Sequence, residues 1–403
     1  MGHGVMAAPK IKAKTKGGNI SVSYVAVPLA VIFLNILIII FPKETVAAAK
    51  DGAKLWFETV LPSLAPFVIG MNILYATGAV RVIGSLLEPL MRPVFNVPGC
   101  GGFALAAGVL SGYPMGAKAV CDLRNNGDIT KPEAQRLISF AGNAGPLFIL
   151  GAVASGMFGN AYIGYFIITA HILAALTVGV MFRFYKSGGA VTPRRPPGTK
   201  VQPRPGKKAP IGAVLGQSVS GAMETLLLTG GFIILFSVVV KALDITGVFN
   251  ALPGNFISSP GVAAGFAEMT NGCARLAQAG ISKGTVIAAA AVISWGGLSV
   301  HAQTLALIGK TDINAGLYLL AKLAHALMAV LYGIIIYPFF KNLIENPAAV
   351  ETSAKTSLIS PSGGELNRFA YGIVLFGVCG AVVLAAVIII QIVIHVKKHI
   401  RAV

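Results

Sequence analysis

The sequence predicts an all-α polytopic membrane protein with about eight transmembrane helices plus two re-entrant hairpins, arranged as two inverted-topology repeats. Three observations predict it. Only 11% of the 403 residues are charged and 55% are hydrophobic, against about 25% charged in a soluble domain. The apolar residues are grouped in blocks of roughly 20, the length that crosses a bilayer. The order of blocks and interruptions recurs in the two halves of the chain, and repeats of this kind define an architecture.

Residues 1–20 form a basic tail, and residues 21–42 a signal-anchor span that lacks a small-residue cleavage site. Residues 43–55 read as a mixed, interfacial stretch. The next span covers 56–79, and Pro62 and Pro66 predict a kink in it because each removes a helical N–H. Residues 102–121 are apolar but carry Gly108, Gly112, Pro114, Gly116 and Lys118. That pattern predicts a re-entrant hairpin rather than a through helix. Spans follow at 137–160 and 161–184.

Residues 185–210 hold seven Lys or Arg, six prolines and no acid, the composition of an extended cytoplasmic linker. A span at 222–247 comes next, then a second glycine-broken segment at 258–279 containing Gly265, Gly272 and Arg275. Spans at 284–308, 314–340 and 371–396 complete the chain. The two repeat units are 56–184 and 222–340. Threading these spans through a membrane from an inside N-terminus puts the basic tail, linker and C-terminus all on the cytoplasmic side.

The repeat also shows in short matches. Phe57-Glu58-Thr59 and Met223-Glu224-Thr225 open equivalent spans, and Gly108 to Lys118 lies over Gly265 to Arg275 without a gap. Ile129-Thr130-Lys131 matches Ile281-Ser282-Lys283, and Asn143 to Pro146 falls opposite Trp295 to Leu298. The paired spans run in opposite directions, a recurrent plan of secondary transporters.

Lys118 and Arg275 are the first candidate binding residues, since a cation at membrane depth costs at least about 2.5 kcal/mol and needs a partner or a cavity. Two such cations beside half-helix N-termini suit a small anion. Glu58 and Glu224 are candidates for substrate contact or proton binding. Glu268 either contributes to the site or neutralises Arg275. Ser111, Tyr113, Asn143, Asn271, Ser299 and Gln303 can supply hydrogen bonds to a solute or to neighbouring helices. His171, His301 and His325 read as satisfied bundle histidines, because no metal-ligand spacing accompanies them.

The net charge of +18 is concentrated in the tails and linker, so nucleic acid is not the expected partner. The four cysteines show no CxxC pair, and neither a disulfide framework nor a zinc site is expected. Gly309-Lys310-Thr311 ends like a phosphate loop, but Thr304 stands where its first glycine belongs. No enzyme, metal or cofactor is expected. The expected partners are a small anionic solute, the lipid bilayer and a second copy of the chain.

Leu61-Pro62-Ser63-Leu64-Ala65-Pro66-Phe67, Val97-Pro98-Gly99-Cys100-Gly101-Gly102-Phe103, Ser111-Gly112-Tyr113-Pro114-Met115-Gly116-Ala117-Lys118 and Asn143 followed by Pro146-Leu147-Phe148-Ile149 carry a family resemblance over residues 50–340. With these runs the sequence resembles the YlbJ/SpoVV-type sporulation integral membrane proteins, which carry the Gate, or nucleoside-recognition, domain. The resemblance implies a multi-pass bacterial membrane protein of the outer forespore membrane that passes dipicolinic acid during endospore formation. It also implies relatives that handle nucleosides or ions. Two alternatives stand beside that reading: transport of a nucleoside or other small solute, and a non-transporting scaffold for spore-envelope assembly.

Overall fold

The computed structural model describes residues 22–77, 79–188, 210–249 and 260–345. Every regular element among them is helical. The N-terminal tail, nearly all of the basic linker and the span expected at 371–396 lie outside the described residues.

The chain begins with α1 (Val22–Ile40) and α2 (Pro42–Leu55). A π-helical segment, Trp56–Val60, carries α2 straight into α3 (Leu61–Ala76). Pro62 cannot donate to the carbonyl four residues before it, and the wider π turn absorbs that loss. Residues 43–55, expected to be interfacial, are helical and pack against α9 (Ile211–Ile245). Gly52 makes this approach possible, since a Cβ there would sit 2.7 Å from Ser237 Oγ.

α4 (Ala79–Phe95) leads to the first hairpin, α5 (Cys100–Ser111) and α6 (Met115–Asn125). α7 (Lys131–Ala141) is separated by a break from a second π-helical segment (Leu147–Met157), and α8 (Ala161–Phe182) returns. After the linker come α9, the second hairpin formed by α10 (Pro260–Ala267) and α11 (Met269–Gln278), the interrupted pair α12 (Lys283–Trp295) and α13 (Gly297–Ile308), and α14 (Ala315–Glu345). Long helix, broken hairpin, interrupted helix and long helix thus occur twice in that order. The span expected at 137–160 is broken at 142–146, near its start, and that at 284–308 is broken at Gly296, near its middle, rather than continuous.

Among the described residues four helices are long and apolar enough to cross a membrane, or up to six if each bent pair counts as one span; the eighth expected span, 371–396, lies outside them. α14 shows why lipid is their solvent. Leu320, Leu323, Leu327, Leu331 and Ile334 recur at helical spacing and stay exposed, an apolar stripe that water would not tolerate.

Side-chain contacts fix the direction of each element. Arg124, at the base of the first hairpin, binds Asp312 through two 2.8 Å contacts. Gln135 exchanges hydrogen bonds with Asn314. The turn after α6 therefore lies beside the start of α14. At the other end Asn160 donates to Ile344 O at 3.0 Å, and Lys283 sits over the Tyr337 ring. The turn before α12 therefore lies beside the end of α14. The 31 residues of α14 measure roughly 46 Å at 1.5 Å each. The two hairpins consequently enter from opposite ends of the bundle. α3 and α9 are likewise antiparallel, with Asn72 near the end of α3 bonded to Ser218 near the start of α9.

Arg136 fastens the linker end. It is buried and donates to the carbonyls of Asn96, Tyr185 and Lys186 at 2.6–2.9 Å. The Arg124 guanidinium, hydrogen-bonded to it, holds the Asp312 carboxyl below the usual carboxylate range. A depressed carboxylate stabilises the fold above its unfolded value near 4 and stops doing so as pH falls through the folded one. Asp312→Asn is therefore expected to lower the melting temperature slightly at neutral pH, with the difference closing on acidification. Solvent screening keeps the effect to a few tenths of a kcal/mol; thermal unfolding in detergent at several pH values measures it.

Candidate functional site

Glycine brings the arms of each hairpin together. A Cβ on Gly108 or Gly116 would lie 1.7 or 1.8 Å from Ala141 O, so the last carbonyl of α7 is wedged between α5 and α6. In the second hairpin a Cβ on Gly272 would lie 2.3 Å from Gly265 Cα. The facing glycines are eight residues apart in the first hairpin and seven in the second. The gap-free match of Gly108–Lys118 with Gly265–Arg275 therefore holds up to the break and is one residue out beyond it.

The hairpin tips seat against the breaks of the interrupted helices. Gly112, at φ +83°, lies against Gly145, and Gly297, at φ +78°, lies against Glu268 and Met269. Both conformations are left-handed, which glycine adopts without strain. Gly296, at φ +90°, faces the Tyr113 ring at the first tip. Thr130 and Ser282 prove to be the N-caps of α7 and α12, each with a capping box. The Asn143–Pro146 and Trp295–Leu298 matches mark the two breaks.

Around the meeting point is a cavity of about 60 Å³, lined by Ser111, Gly112 and Tyr113 from one tip and Glu268, Met269 and Thr270 from the other. Ala144, Gly145 and Phe148 add one interrupted helix, and Ser299, Val300 and Gln303 the other. Val60, Leu64, Thr229 and Ile233 close the wall with apolar carbon and one hydroxyl. At about 10–15 Å³ per water, this space holds a handful of waters.

Several polar atoms here have no partner among the described residues: Ser111 Oγ, Ser299 Oγ and Gln303 Oε1 of the lining, and Oδ1 of Asn143, the residue before Ala144. Buried polar atoms are nearly always satisfied, so this convergence makes the cavity the candidate site. Glu268 is different. Its carboxylate accepts from Thr270 Oγ1 at 3.0 Å, Asn271 N at 2.8 Å and Asn271 Nδ2 at 2.9 Å, and so caps α11.

The expected cations are elsewhere. Lys118 Nζ pairs with Asp122 at 2.9 Å, and Arg275 Nη1 with Asp244 at 3.1 Å. Both pairs are partly exposed and line no part of the cavity; Lys118 and Asp122 share one hairpin arm, and Asp244 reaches Arg275 from α9. Arg275 is neutralised by Asp244, so Glu268 does not serve it. Glu58 and Glu224 are exposed and outside the cavity. Asn271 serves as partner to Glu268.

One charged residue went unremarked in the sequence. Lys322, fully buried in α14, contacts Tyr113 Oη at 2.7 Å, Gly142 O at 3.1 Å and His325 Nδ1 at 3.0 Å. The signal was available, as a lone cation eight residues into an apolar helix falls under the rule that singled out Lys118. His171 and His325 each use both ring nitrogens. His301 bonds Tyr318 at 3.0 Å through Nδ1, but its Nε2 has no partner among the described residues.

Residues 57–186 match the Gate family, described as nucleoside recognition. The chain is also 36% identical over 332 residues to the sporulation integral membrane protein YlbJ of Bacillus subtilis (strain 168), covering 76% of this chain and 81% of that one. No solved structure matches. On this identity and coverage, the chain belongs to the YlbJ family of sporulation integral membrane proteins, with a Gate domain in its first half.

Proposed function

We propose that the chain is a secondary or facilitative transporter for a small anionic solute. Dipicolinate, passed across the outer forespore membrane during endospore formation, fits the reading best. The observation that carries it is the convergence of four chain breaks on one cavity, reached by hairpins from opposite ends and lined by unpartnered hydroxyl and amide oxygens. The recurring element order and the antiparallel pairing of α3 with α9 support reading the halves as inverted repeats, which could expose the cavity alternately to the two faces. Under this reading the basic linker and both termini are cytoplasmic.

The cavity must enlarge to admit an aromatic dicarboxylate, so the described state is a contracted one. Hydroxyl donors and the N-terminus of α6 at the first tip would meet the carboxylates, that of α11 being capped by Glu268. A second reading, transport of a neutral solute such as a nucleoside, is favoured by one observation: among the described residues no cation lines the cavity, whereas Glu268 does.

Uptake of labelled dipicolinate into proteoliposomes tests the proposal. Saturable uptake that excess unlabelled dipicolinate abolishes and uridine leaves intact is the expected result. Inhibition by uridine alone would select the neutral-solute reading. No uptake of either would favour a non-transporting role in the spore envelope.

A further inference from the structure

Lys322 is a fully buried charge-bearing group, in contact with the cavity residue Tyr113, that the proposed function leaves unused. It has no carboxylate within ion-pair distance among the described residues. Its hydrogen bonds can be assigned one by one. Gly142 O only accepts. His325 Nε2 faces His171 O at 3.0 Å, another pure acceptor, so Nε2 carries the hydrogen. In the neutral ring Nδ1 then accepts, and Lys322 donates to it. Two hydrogens of Lys322 are thereby committed.

The third contact, to Tyr113, distinguishes two states. A neutral amine has no hydrogen left, so its lone pair accepts from the Tyr113 hydroxyl at 2.7 Å. An ammonium donates its third hydrogen to Tyr113 Oη. The tyrosine hydrogen must then turn away, either to Ile293 O at 3.4 Å or into the cavity that Tyr113 lines. The first alternative is long for a hydrogen bond. Protonating Lys322 thus converts Tyr113 into a donor facing the solute.

The other titratable groups nearby do not supply a counter-charge. From α8, His171 stacks on His325 at 4.6 Å and accepts Ala144 N–H at Nε2, so its Nδ1–H faces Ser294. From α13, His301 is joined to Tyr318 of α14. None is acidic. A negative solute in the cavity is the partner that would stabilise the ammonium. With Tyr113 as bridge the two charges stand about 5–6 Å apart, and at an effective dielectric near 20 this favours proton binding by roughly a hundredfold.

We propose that Lys322 takes up one proton when an anion occupies the cavity and releases it when the anion leaves, so that the chain moves a proton with its anionic solute. The Tyr113 hydroxyl hands its hydrogen to Lys322 Nζ and receives one from a cavity water, which regains its own from bulk solvent, so that one solvent proton is taken up in all; on release the transfers reverse. This inference rests on the anion-transporter reading, and its test separates the two.

Purified full-length protein in lightly buffered detergent, with a pH-reporting dye, is mixed with labelled dipicolinate. Bound label and proton uptake are scored on the same sample, against a dipicolinate blank. The expected wild-type result is about one proton per bound anion, with affinity falling about tenfold per pH unit on the alkaline side. Lys322→Gln keeps a donor and an acceptor but cannot hold the charge; it is expected to bind about 10–100-fold more weakly and to take up no proton. Should that variant fail to fold, the wild-type stoichiometry and pH slope decide alone. Binding without proton uptake in wild type overturns the inference and leaves the transporter reading intact. Proton uptake undiminished in Lys322→Gln assigns the proton to another group and also overturns it. Failure of dipicolinate to bind sinks the inference and the anion reading together.

Discussion

Gly108→Ala and Gly116→Ala are each expected to yield no monodisperse protein after detergent extraction. The added methyl carbon would sit 1.7 or 1.8 Å from Ala141 O, about half the contact distance. The obstacle is backbone, so no rotamer change relieves it. Either Ala141 withdraws from between the hairpin arms or the arms part, and both displace the break at residues 142–146 that forms one cavity wall. Ordinary overpacking costs about 1–3 kcal/mol, and a backbone clash of this depth exceeds it, against a total stability of only about 5–15 kcal/mol. Gly216→Ala and Gly231→Ala are the controls. They lie in α9 with no neighbouring atom within 4 Å, and there alanine is favoured over glycine by about 1 kcal/mol. Size-exclusion profiles and melting curves measure the contrast. A Gly108→Ala protein that matched wild type in both would show that the arms do not close on Ala141.

The positions of the chain breaks were legible in the sequence because their cause is local. Glycine and proline interrupt a helix wherever they fall, and Gly112, Pro114 and Gly265 announced both hairpins. The breaks in the two later spans were visible only as a weak match between Asn143–Pro146 and Trp295–Leu298, since apolar residues flank them on both sides. The charges were misleading for a different reason. The cost of burying a cation says that a partner exists without saying which. Asp122 stands one turn from Lys118 and could have been read as its partner at i+4. Asp244 is 31 residues before Arg275, and only the folding of α11 against the end of α9 brings them together. The cavity hydroxyls were identifiable as polar atoms in apolar segments, but their convergence is a tertiary fact.

That difference sets the second large prediction. The Lys118→Ala, Arg275→Ala double variant is expected to retain dipicolinate binding within about twofold, because partly exposed ion pairs contribute at most about 1 kcal/mol each and neither faces the solute. The Ser299→Ala, Gln303→Leu double variant is expected to lose binding by about 10–100-fold. Each removes an oxygen that has no partner among the described residues: Ser299 Oγ can donate to a carboxylate, whereas Gln303 Oε1 only accepts and would hold solute-bound water; the net worth is about 0.5–1.5 kcal/mol apiece, more for the hydroxyl that meets a charged group. Neither substitution opens a clash, and both side chains lie on one face of α13, so the fold has little reason to change. Equilibrium binding of labelled dipicolinate to the two purified variants decides between the arrangements. A loss confined to the Lys118, Arg275 pair would return the site to the hairpin arms and leave the cavity as a packing defect where two broken helices meet. A loss confined to the Ser299, Gln303 pair would place recognition at the junction of the tips, where a solute can be contacted by both halves of the chain at once.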